Sequence, residues 1–356
     1  MNPVNQRRWQ QFKSNRRGYY ALWIFLGLFL ISLMAEFIAN DRPLLMQHKG
    51  EYWIPVLFDY TEQDLGGELS IPAQYTTPYV QELVAASGGW MIMPLIPYSF
   101  DTQDLYIQQS APAPPSADHW LGTDDRAKDT LARLIYGFRL SVLFGLTLTA
   151  LSSIIGVSVG ALQGFFGGVV DLAGQRIVEI WAGLPILLVL IILSSVVEPN
   201  VFWLLGILTL FSWMPLVGVV RAEFLRARNF DFVRAARALG VNDFNIMRRH
   251  VLPNAMVATL TFLPFILSGA VTMLTALDFL GFGLPAGSPS LGELLAQGKI
   301  NLQAPWLSIA GFVTLGTMLT LLIFVGEGVR DAFDPRRSLV FQSSSRQEDA
   351  DVPKTP

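Results

Sequence analysis

The chain has 356 residues, of which 52% are hydrophobic and 15% are charged, and its mean hydropathy is +0.42. A soluble globular domain of this length carries more charge, so the composition excludes that class and indicates a polytopic membrane protein. The formal net charge is -3, and the chain has no cysteine, which excludes disulfides, thiol nucleophiles and cysteine-based metal sites.

Six apolar stretches are each about 20 residues long, the length that a helix needs to cross roughly 30 Å of hydrocarbon. They cover residues 19–39, 140–163, 177–197, 201–220, 255–277 and 306–325. Of these, the first and the third contain an ionisable side chain, Glu36 and Glu179 respectively. The sequence therefore predicts an all-α membrane protein with six transmembrane helices.

Positive charge is concentrated outside these spans. Five lysines and arginines lie in the N-terminal arm 1–18, seven arginines lie in the loop 221–254, and more follow in the tail 329–356. Segments rich in Lys and Arg stay on the cytoplasmic side, so we expect all three segments, and both termini, to be cytoplasmic. The first span lacks a small-residue cleavage pattern, and we expect it to be retained rather than removed as a signal peptide.

Residues 40–135, between the first two spans, do not have the composition of a membrane segment. Acidic residues outnumber basic ones there, 13 to 5, which favours the external side of the membrane. Glycine pairs at 66–67 and 88–89 and a proline-rich run at 111–115 indicate short elements joined by loops and an extended linker. Periodicity leaves two interpretations open, a small domain or a poorly ordered external loop.

The approach to the second span has a helical apolar pattern. Leu131, Leu134, Ile135 and Phe138 have the spacing of one helix face. The pattern predicts an amphipathic helix that lies along the membrane surface and leads into the span.

Glycines recur at every fourth position from the second span onward, at Gly156, Gly160, Gly164 and Gly168. Small residues at this spacing let helix backbones approach closely, so we expect this face to pack against another helix.

Prolines and charges inside the spans have more than one interpretation. Pro185, Pro215 and Pro264 predict kinked helices. Glu179 follows Arg176 by three residues, so a local ion pair or snorkelling to the interface competes with a proton site. Asp278, near the outer end of the fifth span, has the same ambiguity.

The arginine-rich loop separates the fourth and fifth spans. Phe232, Ala235, Ala236 and Leu239 form one apolar stripe at helical spacing, and Gly240 is a helix-ending residue. A second short helix follows, and Pro253 is expected to stop it just before the next span. The loop therefore predicts two short, capped helices at which a partner in the aqueous phase meets the membrane helices.

This loop resembles the "EAA" loop of the permease subunits of ABC importers. The matching residues are the Ala235-Ala236 pair, Gly240 and the Leu252-Pro253 pair. Two positions depart from the family pattern, because Arg234 stands in place of glutamate and His250 in place of isoleucine. An Arg-Ala-Ala start and an Arg-His-x-Leu-Pro-Asn finish are typical of the peptide and nickel branch of that family.

Three further segments resemble the C-type permeases of dipeptide and oligopeptide importers. They are Leu-Gly-Thr-Asp at 121–124 with Arg-Leu-Ile-Tyr-Gly at 133–137, Leu-Gly-Phe-Gly at 280–283 with Pro-Ser-Leu-Gly at 289–292, and Gly-Glu-Gly-Val-Arg-Asp at 326–331. Together the matches cover roughly residues 118–337, and they are closest to the Yej-type peptide importers. The segment 40–117 matches no motif shared by the family.

The resemblance implies a type I ABC importer permease fold, with a core at 136–328 in the bacterial inner membrane. It also implies three kinds of protein partner: a second, similar permease subunit, two cytoplasmic ATPase subunits and a periplasmic substrate-binding protein. In that family the loop docks on the ATPases. The implied docking residues are Arg234, Ala235, Ala236, Leu239, Gly240, His250, Leu252 and Pro253.

No nucleotide site of its own is encoded in the chain. The nearest approach to a phosphate-binding loop, Gly292 to Ile300, has five residues between its glycines instead of four, and an isoleucine where the hydroxyl belongs. We therefore expect that the chain binds no cofactor, metal or nucleic acid and that it has no enzymatic activity. ATP is expected to be bound by the partner subunits. Alternative hypotheses are a nickel or opine importer permease, an intramembrane enzyme and a structural membrane anchor.

Overall fold

The computed structural model describes residues 3–107, 109–194, 196–197 and 200–333, which are mainly helical. The helices are α1 Pro3–Ser14, α2 Arg16–Leu33, α3 Ala35–Ile38, α4 Pro78–Ala86, α5 Thr130–Phe166, α6 Gly168–Ala182, α7 Ile186–Ser194, α8 Val201–Ser212, α9 Met214–Ala227, α10 Asp231–Ala238, α11 Asp243–Ile246, α12 Leu252–Leu280, α13 Leu291–Ile300 and α14 Pro305–Phe333. The strands are β1 Leu45–His48, β2 Glu51–Trp53 and β3 Trp90–Ile92.

Up to five membrane spans occur within this part of the chain. Three unbroken helices are long and apolar enough to cross a membrane: Thr130–Phe166, Asp243–Leu280 and Pro305–Phe333. Two bent pairs qualify if each is one span, α6 with α7 at 64° and α8 with α9 at 40°. The predicted first span, 19–39, is divided at Met34 between α2 and α3, so a count of six remains a prediction.

Two of the predicted proline kinks coincide with these bends. Pro185 lies in the break between α6 and α7, and Pro215 lies in the first turn of α9, next to the bend after α8. Proline has no backbone N–H and its ring clashes with the preceding turn, so a helix tends to break there. Pro264, in contrast, lies inside the unbroken helix α12.

The three unbroken helices alternate in direction and form the centre of the bundle. Gly145 of α5 packs against Leu267 of α12, and Gly326 of α14 packs against Phe265 of α12. The C-terminus of α5, the N-terminus of α12 and the C-terminus of α14 therefore share one end, which we call the loop end. The opposite end, where residues 40–129 attach, is the insert end.

The N-terminal arm is a helix that packs on α14 at the loop end. Phe12 is buried against Gly328, and the Arg8 guanidinium lies 4.6 Å above the Phe333 ring. Asn15 caps α2 through Gly18 and donates a 3.0 Å hydrogen bond to Asp331. The first and last helices are thereby joined, while residues 334–356 of the predicted tail lie outside the described residues.

Residues 40–129, which we call the insert, contain a small domain with its own core, so the all-α prediction was wrong for this segment. Its strands form an antiparallel sheet in the order β2-β1-β3, and α4 packs beside it. The buried core residues are Met46, Leu65, Tyr75, Val80 and Val84. Of the two interpretations left open by the sequence, the structure has the folded domain.

The prediction of a separate surface helix before the second span was also wrong. Leu134 and Phe138 are buried inside α5, which runs without a break from Thr130 to Phe166. Asp129 begins the helix, since its side chain accepts a 2.7 Å hydrogen bond from the Ala132 N–H. Because no proline follows before Phe166, nothing separates an amphipathic segment from the span.

Buried charges attach the insert to the bundle. Arg133 of α5 is fully buried and forms ion pairs with Asp124 of the insert and, at 2.9 Å, with Glu293 of α13. Nearby, His119 lies between Asp129 and Asp104, at 2.9 and 3.2 Å. A buried charge costs several kcal/mol unless it is paired, so these contacts specify one position of the insert on the bundle.

Candidate functional site

The arginine-rich loop begins with a helix that ends at a glycine, as the sequence predicts. Gly240 has a φ of +76°. The Val241 N–H donates to the Ala236 carbonyl at 3.1 Å, and the Gly240 N–H donates to the Arg237 carbonyl at 3.0 Å. This pair of bonds is a Schellman cap, which needs a left-handed residue that glycine supplies without strain.

The second short helix does not stop at Pro253, so that prediction was wrong. It begins at Asn242, whose side chain accepts from the Phe244 N–H at 3.0 Å, and it continues into α12 as one helix. A π-helical turn, Met247–Val251, precedes the proline. There the Leu252 N–H donates to Met247, five residues back, and this wider turn accommodates a residue that has no N–H. The loop is therefore joined rigidly to the membrane helix.

One face of the loop is buried against the bundle. Val233, Ala236 and Ile246 pack in a cluster with Phe165 of α5 and Phe224 of α9. Arg237 strengthens the contact, since its guanidinium lies 4.9 Å above the Phe165 ring and its Nε donates to Asp243 at 3.0 Å. The loop is thus packed against both α5 and α9.

A second surface of the loop, beside the buried one, is apolar and exposed, and we call it the coupling face. Its members are Phe230, Phe232, Leu239, Val241 and Phe244. Leu239 is 82% exposed and Phe244 is 63% exposed, although both are large apolar side chains. Exposed apolar groups clustered on a charged loop mark an interaction surface.

The residues of the predicted docking motif divide between buried and exposed positions. Ala236 is buried against the bundle, whereas its neighbour Ala235 is exposed, and the contact of this pair with a partner stays a prediction. Arg234, His250 and Pro253 are exposed and Leu252 is half-buried. Exposed arginines border the coupling face at 234, 248 and 249, which favours a partner surface that carries acidic groups.

Sequence reasoning missed the residues that hold the loop in place. Val233 and Ile246 are fully buried, and their partners Phe165 and Phe224 belong to other helices. The signal was weak, because α10 has apolar residues on both of its faces.

The glycine repeat positions the helix that leads into the loop. A Cβ at Gly156 would lie 2.7 Å from the Trp213 carbonyl oxygen, and a Cβ at Gly160 would lie 2.8 Å from the Val217 carbonyl oxygen of α9. A Cβ at Gly164 would lie 2.6 Å from another carbonyl oxygen of α9. Gly168 does not belong to this contact: it begins α6, and nothing lies within 4 Å of where its side chain would be. The chain turns at positive φ at Gly167 and Gly168, which carries the fourth glycine away from α9.

The charged residues of the spans have structural partners. Arg221 of α9 forms a two-point ion pair with Asp171 of α6, at 2.5 and 2.7 Å. Glu179 forms the expected local pair with Arg176 at 2.6 Å, and both side chains are exposed. Asp278 accepts from the Ser290 hydroxyl and, at 2.7 Å, from the Leu284 N–H, so it orders the turn after α12.

Comparison with known proteins gives consistent matches. A family model, "Binding-protein-dependent transport system inner membrane component", matches residues 135–339. "Peptidoglycan transport system permease protein YejE" of Agrobacterium fabrum is 56% identical over 95% of this chain and 94% of its own length. "Inner membrane ABC transporter permease protein YejE" of Escherichia coli is 58% identical over 95% and 99%.

More distant relatives match a shorter part. "Dipeptide transport system permease protein DppC" of Bacillus subtilis is 34% identical over 68% of this chain and 75% of its own length. A solved inward-facing MetNI methionine ABC transporter matches 56% of this chain and 96% of its own, with 19% identity and a TM-score of 0.48. The family resemblance carried by the sequence motifs is confirmed, and the chain belongs to the family of binding-protein-dependent transport system inner membrane components, the permeases of ABC importers.

Proposed function

We propose that this chain forms, with a second permease subunit, the inner-membrane pathway of a binding-protein-dependent importer for peptides or peptide-like compounds. The observation that carries the proposal is the coupling face, an exposed apolar surface on a loop whose other side is packed into the bundle. Separate cytoplasmic ATPases dock there and supply the energy, and an external binding protein delivers the substrate.

The loop is suited to transmit movement. Its first helix ends in a defined cap at Gly240, and its second is continuous with α12. Val233 and Ala236 hold it against α5 and α9. Because packed interfaces switch between discrete arrangements rather than deform gradually, a rotation of the docked ATPases reaches three membrane helices at once.

The second permease subunit has a surface available to it. None of the described residues of α6 is buried, and Val169, Leu172 and Ile180 expose most of their apolar surface. Helix α8 likewise exposes Phe202 at its start. This unpartnered side of the bundle supports pairing with a homologous subunit, with membrane lipid around the remainder.

The orientation follows from charge. Both termini and the loop end are rich in arginine, and the insert end is acidic, so we place the loop end in the cytoplasm and the insert in the periplasm. The external face then carries the folded domain, where the binding protein arrives.

The substrate class rests on the relatives. Dipeptide and oligopeptide permeases are 34% identical to this chain, and the Agrobacterium relative is named for peptidoglycan transport. Peptides and peptidoglycan fragments share amide backbones and ionised ends. A nickel or opine importer remains the alternative hypothesis, and no observation in the structure favours it.

A matched pair of substitutions tests the docking. Leu239, on the coupling face, and Leu105, on the insert, are both 82% exposed. We expect Leu239→Glu to insert normally, but to lose uptake and co-purification with the ATPases, because a charge replaces an apolar contact. Leu105→Glu should retain both. Uptake and ATPase recovery at wild-type levels in Leu239→Glu would contradict the proposal.

A further inference from the structure

A polar cleft of about 560 Å³ lies at the junction of the insert and the bundle, and we call it the junction cleft. Helices α3 and α5 form one wall, and loops of the insert form the other. The charged side chains that line it are Glu36, Asp41, Arg42, Asp101 and Arg139. All the residues that line it lie outside the arginine-rich loop 221–254.

The charges in the junction cleft are unevenly paired. Arg42 forms an ion pair with Asp59, and Arg139 Nη1 contacts both carboxylate oxygens of Glu36 at 2.7 and 2.8 Å. Asp41 accepts a 3.0 Å hydrogen bond from the Thr102 hydroxyl, which is neutral. Among the described residues, Asp41 and Asp101 have no cation paired with them. The cleft therefore has an excess of negative charge. It also contains Arg139, whose remaining N–H groups do not contact Glu36.

A buried amide also faces this cleft. Asn40 is only 8% exposed, it lines the cleft, and its side chain forms no hydrogen bond with any described residue. The Asn40 amide atoms reach the solvent in the cleft, so both its N–H groups and its oxygen are free to form hydrogen bonds with a polar ligand there.

The depth of the cleft identifies the kind of ligand. Glu36 follows the apolar helix α2 by three residues, and Arg139 directly precedes the apolar stretch 140–163. Both lie where hydrocarbon gives way to lipid headgroups. Leu143 and Leu146 follow Arg139 on the same face of α5 and are exposed, as is Phe37 beside Glu36. A polar cleft is thus continuous with an apolar surface that enters the membrane.

We propose that the junction cleft binds the headgroup of an ethanolamine-type phospholipid. The primary ammonium lies between Asp41 and Asp101, which accept its N–H groups, and the phosphate lies against Arg139 and the Asn40 amide. An acyl chain covers Leu143 and Leu146. A choline headgroup cannot replace the ethanolamine headgroup, because a trimethylated ammonium has no N–H to donate. The inference does not depend on which substrate the importer carries.

The test measures bound lipid on the assembled importer. Complexes are purified with the wild-type chain, with the double variant Asp41→Asn/Asp101→Asn, and with Glu82→Gln, a control that removes an exposed charge of α4 outside the cleft. Each is delipidated and then incubated with ethanolamine or choline phospholipid of the same acyl chains. Lipid retained per chain is counted by mass spectrometry.

We expect the wild-type complex and Glu82→Gln to retain the ethanolamine lipid but not the choline lipid. The double variant should lose retention several-fold. If that variant does not assemble, Asn40→Ala serves instead, and it should also lower retention. Equal retention in all variants would overturn the inference. Displacement of the lipid by a short peptide with a free amino end would also overturn it, since the cleft would then belong to the substrate.

Discussion

Gly240 shows how one residue fixes the shape of the arginine-rich loop. Its φ of +76° is accessible to glycine at little cost, but it strains most side chains, and no atom lies within 4 Å of where a Cβ would be. The constraint at this position is therefore the backbone conformation and not the space available. Asparagine tolerates the left-handed region better than other residues with side chains, and valine tolerates it poorly.

A pair of substitutions at this residue separates strain from size. We expect Gly240→Val to cost roughly 1 kcal/mol or more in the loop conformation and to lower substrate uptake. Gly240→Asn should retain most of the uptake, because it can keep the cap. The measurement is uptake at equal abundance of the two variants in the membrane. Equal uptake by both would show that the cap geometry is not needed.

At the scale of elements, the contact between α5 and α9 determines how the loop follows the bundle. Gly160 faces α9 so closely that a methyl group would come within 2.8 Å of the Val217 carbonyl. Gly218 of α9 has nothing within 4 Å. The two glycines are therefore in opposite environments on the same pair of helices.

We expect Gly160→Ala to lower the melting temperature of the purified importer, because overpacking of this kind typically costs about 1–3 kcal/mol. Gly218→Ala should be neutral or slightly stabilising, since alanine favours a helix by up to about 1 kcal/mol over glycine. If Gly218→Ala destabilised the importer as much as Gly160→Ala, close helix packing would not explain the repeat.

The connection between the insert and α5 depends on pH through His119. Burial alone would lower the pKa of His119. The hydrogen bonds to Asp129 and Asp104, together with the negative charges of these two carboxylates, raise the pKa by more than burial lowers it, so the pKa of His119 lies above its ordinary value. The resulting stabilisation is fully present below the unfolded value of about 6.5, and it is lost as the pH rises through the folded pKa.

A substitution of His119 should show this dependence. We expect His119→Gln to lower the melting temperature more at pH 6 than at pH 8, because the raised pKa of His119 gives the wild-type chain more additional stabilisation at the acidic pH. The measurement compares both proteins at the two pH values. A difference that is the same at both would mean that the charge on His119 does not stabilise the junction.

Over the whole molecule, the sequence predicted long apolar helices, a capped loop and the family, because each leaves a pattern within one segment. The orientation of α10 could not be predicted. Apolar residues lie on both of its sides, and Phe165 and Phe224, distant in sequence, determine that Val233 and Ala236 are buried. The sheet of the insert was missed, because strands of three or four residues are too short to show an alternating pattern.

We predict that a force applied by ATPases enters at the coupling face and moves α5, α9 and α12 together. The insert lies at the far end of the same helices, so we expect the two ends to contact different partners. The absence of cysteine from the chain makes this claim directly measurable, because a single introduced thiol is the only one in the subunit.

The most direct measurement is site-specific cross-linking in the assembled importer. Leu239→Cys and Leu105→Cys are each modified with a thiol-reactive photo-cross-linker and irradiated in membranes. We predict that the group at position 239 cross-links to an ATPase subunit and that the group at position 105 does not. A cross-link to the ATPase from position 105, or none from position 239 in complexes that contain the ATPases, would contradict the assignment of the coupling face.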